Sequence, residues 1–158
     1  MGNMPKYGPL WTFIMPVIQH CLEVPYNVAE MYELVNRIEN YSEFLPWCSK
    51  SKIISQNEDS LQASLTLTAG GLSKTFTTLN RLQKNKLIEI SLVDGPFKHL
   101  EGYWAFEATQ HGSKIRLNLE FEFSTRLLAL AFSPVFEKVA NTLVQAFSKR
   151  AHQVYGDR

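Results

Sequence analysis

The clearest hydrophobic alternation in the chain runs from Lys114 to Phe123. Ile115, Leu117, Leu119, Phe121 and Phe123 take every second position, and Lys114, Arg116, Asn118, Glu120 and Glu122 fill the gaps. A period of two gives one dry face and one wet face, as in an antiparallel sheet covered on one side. Shorter runs of β texture precede it at Ile53-Ile54, Leu61–Thr68, Leu72–Leu82, Leu87–Val93 and Leu100–Ala108. Turn residues separate them: Asn57-Glu58-Asp59-Ser60, Gly70-Gly71, Lys84-Asn85-Lys86, Asp94-Gly95-Pro96 and His111-Gly112. Strands joined by such short turns pair as hairpins, so the predicted sheet is antiparallel.

A different texture frames these strands. Val17–Val24 reads as a first strand, stopped by Pro25. Asn27 then suits a helix N-cap, with Glu30 three residues on to complete a capping box. Val28, Met31, Val35 and Ile38 share one face of the helix that follows, which Asn40 is expected to end. Tyr41–Leu45 reads as a second short helical turn, ended by Pro46. At the other end, Phe132, Phe136, Val139, Ala140, Leu143, Ala146, Phe147, Ala151 and Val154 recur at three and four, which predicts a long amphipathic helix. Pro134 fits two readings there. It opens that helix with Ser133 as cap, or it kinks the chain after a short helix from about Arg126. The order predicts an α+β fold: a curved antiparallel sheet of about seven strands wrapped on the long C-terminal helix, with two short helices after the first strand. Such a grip leaves apolar space between sheet and helix.

Composition narrows the class. Hydrophobic residues make up 45% and charged residues 20%, the balance of a globular chain. A net charge of +1 argues against a highly basic nucleic-acid binder, and no DNA partner is expected. Two cysteines, Cys21 and Cys48, make no disulfide framework and point to a reducing compartment. Each is expected as a small buried apolar residue. No uninterrupted apolar run reaches the roughly 20 residues of a bilayer span. The expected location is cytoplasmic, with peripheral contact at the inner membrane. Residues 1–14 read as a disordered leader or tag-like extension, and residues 15–158 as one domain.

Catalytic signals are missing. His20, His99, His111 and His152 are scattered without metal-ligand spacing. No phosphate loop, dinucleotide fingerprint or nucleophile elbow is present. Glu120 and Glu122 share the wet face of their strand and read as solvated surface. Nothing near Cys48 in sequence lowers its pKa. No catalytic residue, metal or required cofactor is therefore predicted.

Aromatic residues are the richer signal, with ten Phe, six Tyr and three Trp. The predicted cavity and its mouth take Phe44, Leu45, Pro46, Trp47, Phe76, Phe97, Trp104, Leu119, Phe121, Phe123, Phe136, Leu143 and Phe147. Each alone fits a packed core, but a shared lining with few polar groups favours a lipid-like ligand. The Asp94–Lys98 segment is expected as a loop at the mouth. Lys50, Lys52 and Lys98 are the surface residues expected to meet anionic lipid heads or ribosomal RNA.

Several motifs together resemble one family. They are Val24-Pro25-Tyr26, Met31-Tyr32, Tyr41-x-x-Phe44-Leu45-Pro46-x-Cys48, Ser73-Lys74-Thr75-Phe76-Thr77-Thr78, Leu92-Val93-Asp94-Gly95-Pro96-Phe97-Lys98-x-Leu100-x-Gly102-x-Trp104 and Phe121-Glu122-Phe123. Over Met15–Tyr155 the chain resembles the coenzyme Q-binding START-domain family of the polyketide cyclase/dehydrase-like superfamily, closest to the bacterial branch named after the ribosome association toxin RatA. The resemblance implies a helix-grip (START/Bet v 1-like) fold. For the coenzyme Q branch it implies non-catalytic binding of a polyprenyl quinone, ubiquinone, in the apolar cavity in support of respiration. This is the leading expectation. For the toxin branch it implies binding to the large ribosomal subunit and blocking of subunit joining, as in type II toxin–antitoxin systems. The superfamily name implies a third reading, a cyclase-like enzyme, for which the chain shows no acid/base set.

Overall fold

The cleanest alternation becomes the best-buried strand. The computed structural model describes residues 17–158, so the expected leader at residues 1–14 lies outside the described residues. The elements are β1 (Val17–Val24), α1 (Val28–Asn36), a 3-10 turn (Ile38–Asn40), α2 (Tyr41–Phe44), β2 (Cys48–Gln56), β3 (Ser60–Ala69), β4 (Leu72–Gln83), β5 (Leu87–Asp94), β6 (Phe97–Ala108), β7 (Ser113–Phe123) and α3 (Arg126–Tyr155). The seven strands form one antiparallel sheet in the order β1-β7-β6-β5-β4-β3-β2. From β2 to β7 every neighbour in sequence is a neighbour in the sheet. Only β1 joins out of order, because α1 and α2 carry the chain from one edge to the other.

Local chemistry explains most boundaries. The capping box forms as expected: Asn27 Oδ1 accepts from the Glu30 N–H at 2.8 Å, and Glu30 Oε1 accepts from the Asn27 N–H at 3.0 Å. The helix stops at Asn36 rather than Asn40, since Arg37 leaves helical geometry with φ −81° and ψ 67°. Ile38 stays buried all the same, carried on the 3-10 turn. β2 extends well beyond Ile53-Ile54. Register shifts between Cys48 and Lys50 and between Ile53 and Ser55 break its alternation.

The segment expected as a mouth loop is a tight turn. Asp94 ends β5, Gly95-Pro96 turns, and Phe97 opens β6 with its ring in the core. Gly95 holds φ +148°, and a Cβ there would lie 2.5 Å from Phe76 Cβ, so the turn has no room for a side chain.

α3 is one helix through Pro134, capped by Thr125 Oγ1, which accepts the Leu128 N–H at 3.1 Å. Ser133 caps nothing. Pro134 has no N–H for the Leu130 carbonyl, but Leu130 is 70% exposed, so water reaches that turn. The buried stripe is Phe132, Phe136, Val139, Ala140, Val144, Phe147 and Ala151. Val144 belongs to it and was not expected, whereas Val154 is exposed. An 18-residue window of α3 has a mean hydropathy of 1.4, enough by length and composition alone to cross a bilayer, a test that a long core helix also passes. Here the sheet grips it. Its end is tied to α1 and the turn before it: the Tyr26 hydroxyl donates to the Gly156 carbonyl at 2.7 Å, and the Tyr155 hydroxyl to the Glu30 carbonyl at 3.1 Å.

Two apolar clusters fill the space between sheet and helix. One gathers Met31, Tyr41, Trp104 and Phe147. The other gathers Phe76, Phe97, Phe121, Phe123, Phe132 and Phe136.

Candidate functional site

A cavity of about 90 Å³ lies where the two clusters meet. Among the residues expected from sequence, Trp47, Phe76, Trp104, Leu119, Phe136 and Leu143 line it. Leu45, Phe97, Phe121, Phe123 and Phe147 instead pack in the core that flanks it. Phe44 is half-buried against Phe147, with ring centroids 5.2 Å apart, and Pro46 is exposed. Val35 of α1 and Ile38 of the 3-10 turn also line the cavity.

Three polar side chains in the lining were not expected: Tyr41, Thr78 and Asn80. The signal for two of them was present. Phe76, Thr78, Asn80 and Leu82 stand two apart on β4, so a strand that turns Phe76 inward turns the others inward too. Thr78 Oγ1 donates to Asn80 Oδ1 at 3.0 Å. The Tyr41 hydroxyl donates to the Val35 carbonyl. Burial pushes the Tyr41 phenol far above its ordinary range, and nearby Cys48 adds to this. Among the described residues, Tyr41 is the only ionisable side chain in the lining. No carboxylate, imidazole or amine among those lining residues could pass a proton to a bound molecule.

Cys48 is buried, its thiol pushed up by desolvation, and its Sγ–H donates to the Lys50 carbonyl at 3.3 Å. Cys21 departs from expectation and is exposed on β1, because odd positions of that strand face outward.

The outer face of the sheet holds the charge. His99 Nε2 lies 3.3 Å from Glu120 Oε1 and 3.5 Å from Glu101 Oε1. These three groups could hold a cation, but they sit on the face opposite the cavity. Glu120 and Glu122 are thus half-buried and paired rather than simply solvated, Glu122 with Lys98 at 3.6 Å. Lys50 and Lys52 are exposed on the edge strand β2. Beside them runs a ladder of hydroxyls: Ser49 with Thr68 at 2.8 Å, Thr68 with Ser73 at 3.2 Å, and Thr66 with Thr75 at 2.9 Å. Lys98 is four strands away, roughly 19 Å at about 4.8 Å per strand. The three expected contact lysines therefore do not form one patch.

A seven-stranded grip on one long helix, with an apolar cavity inside, defines the class. Residues 24–148 match the family described as polyketide cyclase/dehydrase and lipid transport, and the chain belongs to that START-like family. Within it, the chain is 43% identical over 150 residues to the ribosome association toxin RatA of Escherichia coli K12, covering 94% of this chain and 95% of that protein. It is 27% identical over 139 residues to the mitochondrial coenzyme Q-binding protein COQ10 of Dictyostelium discoideum, covering 85% of this chain and 68% of that protein. In fold it is similar to the Zhui aromatase/cyclase of Streptomyces sp. R1128, with a TM-score of 0.76 at 15% identity, covering 88% of this chain and 94% of that one. That last likeness concerns the fold alone.

Proposed function

We propose that this protein associates with the ribosome and blocks translation by occupying the large subunit, without catalysis. The observation that carries the reading is the 43% identity to a ribosome association toxin across 94% of the chain. This reverses the order of the two readings expected from sequence. Quinone binding has the more distant relative, at 27% identity. It also needs the cavity to open, since about 90 Å³ falls short of the roughly 300–1,000 Å³ of ligand pockets. For a cyclase-like reaction the described lining offers only Tyr41 as an ionisable group, and burial keeps its phenol protonated.

The outer face of β2–β4 is the contact we propose. Lys50 and Lys52 offer charge to phosphates, and the adjoining hydroxyls can hydrogen-bond to phosphate and ribose oxygens. Overexpression in a bacterial host tests the reading. Gradient profiles should show joined ribosomes falling while free subunits accumulate. Unchanged profiles at high expression would refute it.

A further inference from the structure

We propose that the outer face of β2–β4 reads double-helical RNA by its backbone and 2′-hydroxyls, without regard to sequence. Ribosome association supplies the face on which this rests; the kind of RNA follows from the chemistry of the three strands. β2, β3 and β4 contain no Asp or Glu, and they carry Lys50, Lys52, Lys74 and Arg81. The carboxylates of the sheet stand on the other four strands, among them Glu89, Glu101 and Glu120, and there they outnumber the basic residues. One sheet is thus split into a cationic part and an acidic part. A polyanion is drawn to the first and repelled by the second.

The polar groups of the cationic part match a ribose. Register places Lys50 beside Thr66 and Lys52 beside Ser64, so both lysines share a face with the hydroxyls of β3. Ser49, Thr68 and Ser73 are joined by two hydrogen bonds, and Thr66 and Thr75 by one. Each hydroxyl has one proton and two lone pairs. Three hydroxyls sharing two bonds keep one proton free, and two sharing one bond also keep one, because no further acceptor takes it among the described residues. The array can therefore donate to phosphate and ribose oxygens and accept from a 2′-hydroxyl, which is itself both donor and acceptor. A DNA duplex lacks that partner. Unpaired bases are held by stacking on aromatic rings. The one aromatic residue of β2–β4 is Phe76, and its ring lies in the core. Without a stacking platform the face suits a duplex, whose wide, shallow minor groove displays 2′-hydroxyls.

Fluorescence anisotropy with the intact protein at low salt tests this on three labelled probes. They are an RNA duplex of roughly 16 base pairs, a DNA duplex of the same sequence, and one RNA strand alone. The RNA duplex should bind about tenfold more tightly than either of the others. A second RNA duplex of unrelated sequence should bind as tightly as the first. Ser49→Ala combined with Thr75→Val should bring the RNA duplex down to the DNA level; both residues are exposed, and a circular dichroism melt checks that the fold is kept. Should that variant fail to fold, the wild-type ranking decides alone. Equal binding of the RNA and DNA duplexes, tighter binding of the single strand, dependence on sequence, a folded variant with its preference intact, or no binding of any probe would each overturn the inference. Ribosome association and duplex binding fail separately. A protein that travels with the large subunit yet ignores the RNA duplex meets a ribosomal protein or unpaired RNA instead, which overturns the inference alone. One that binds the RNA duplex and neither subunit refutes ribosome association alone.

Discussion

Phe147 shows how the residues of the site hold one another. It is fully buried, with ring centroids 5.2 Å from Tyr41, 5.2 Å from Phe44 and 5.3 Å from Trp104. Phe147→Ala should cost about 3–5 kcal/mol by urea denaturation; a loss below about 1 kcal/mol would mean the site collapses around the gap. Tyr41 makes a prediction about pH. Its phenol ionises near 10.0 when unfolded, and burial holds the folded phenol well above that. The folded state keeps the proton longer, so stability is level below about pH 10 and falls as pH rises past it. Tyr32 and Tyr155, also pushed up by burial, act in the same direction over the same range, and Cys48 does so from about pH 9. Urea midpoints of Tyr41→Phe should decline less steeply above pH 10 than those of the wild type; parallel declines would exclude Tyr41 as a cause. At this scale the sequence showed the aromatic residues but not their division between lining and flanking core, which depends on the curvature of the sheet. Thr78 and Asn80 were hidden by their polarity, although the period that turns Phe76 inward includes them.

Among the elements, the β6–β7 pair leaves no room for a side chain at one point of its contact. Gly102 lies on β6 where a Cβ would come 2.1 Å from the Asn118 carbonyl oxygen and 2.9 Å from Leu119 Cα. Both of those atoms are backbone, so neither can swing aside. Gly102→Ala should cost about 1–3 kcal/mol through strand separation, read as a lower urea midpoint and faster amide exchange in β7. An unchanged midpoint would show that the strands part freely. Strands with regular alternation were legible from the sequence, β7 above all. β2 was legible only at Ile53-Ile54, because its register shifts break the period and its outward positions carry Lys50 and Lys52. The continuity of α3 was not legible, because proline is tolerated there only through the exposure of the Leu130 turn, and that is set by where the helix sits on the sheet.

For the whole molecule, the chemistry divides between two faces of one sheet. The inner face grips α3 and encloses a small cavity. The outer face carries lysines and hydroxyls at one edge and ion pairs towards the other. The predicted order of elements was enough to read the grip, but a net charge of +1 hid the separation of charge that folding produces. The double variant Lys50→Glu, Lys52→Glu should keep its melting temperature, since both residues are exposed, and should lose ribosome association in a pull-down. Retained association would move the contact to another face. Added salt should weaken the wild-type interaction in proportion to the phosphates contacted. The most direct measurement of ribosome association is co-sedimentation of the purified protein with separated ribosomal subunits on sucrose gradients at low salt. The protein should travel with the large subunit and prevent its joining to the small one; protein that stays at the top of the gradient with both subunits present, and joining that proceeds normally, would contradict the proposal.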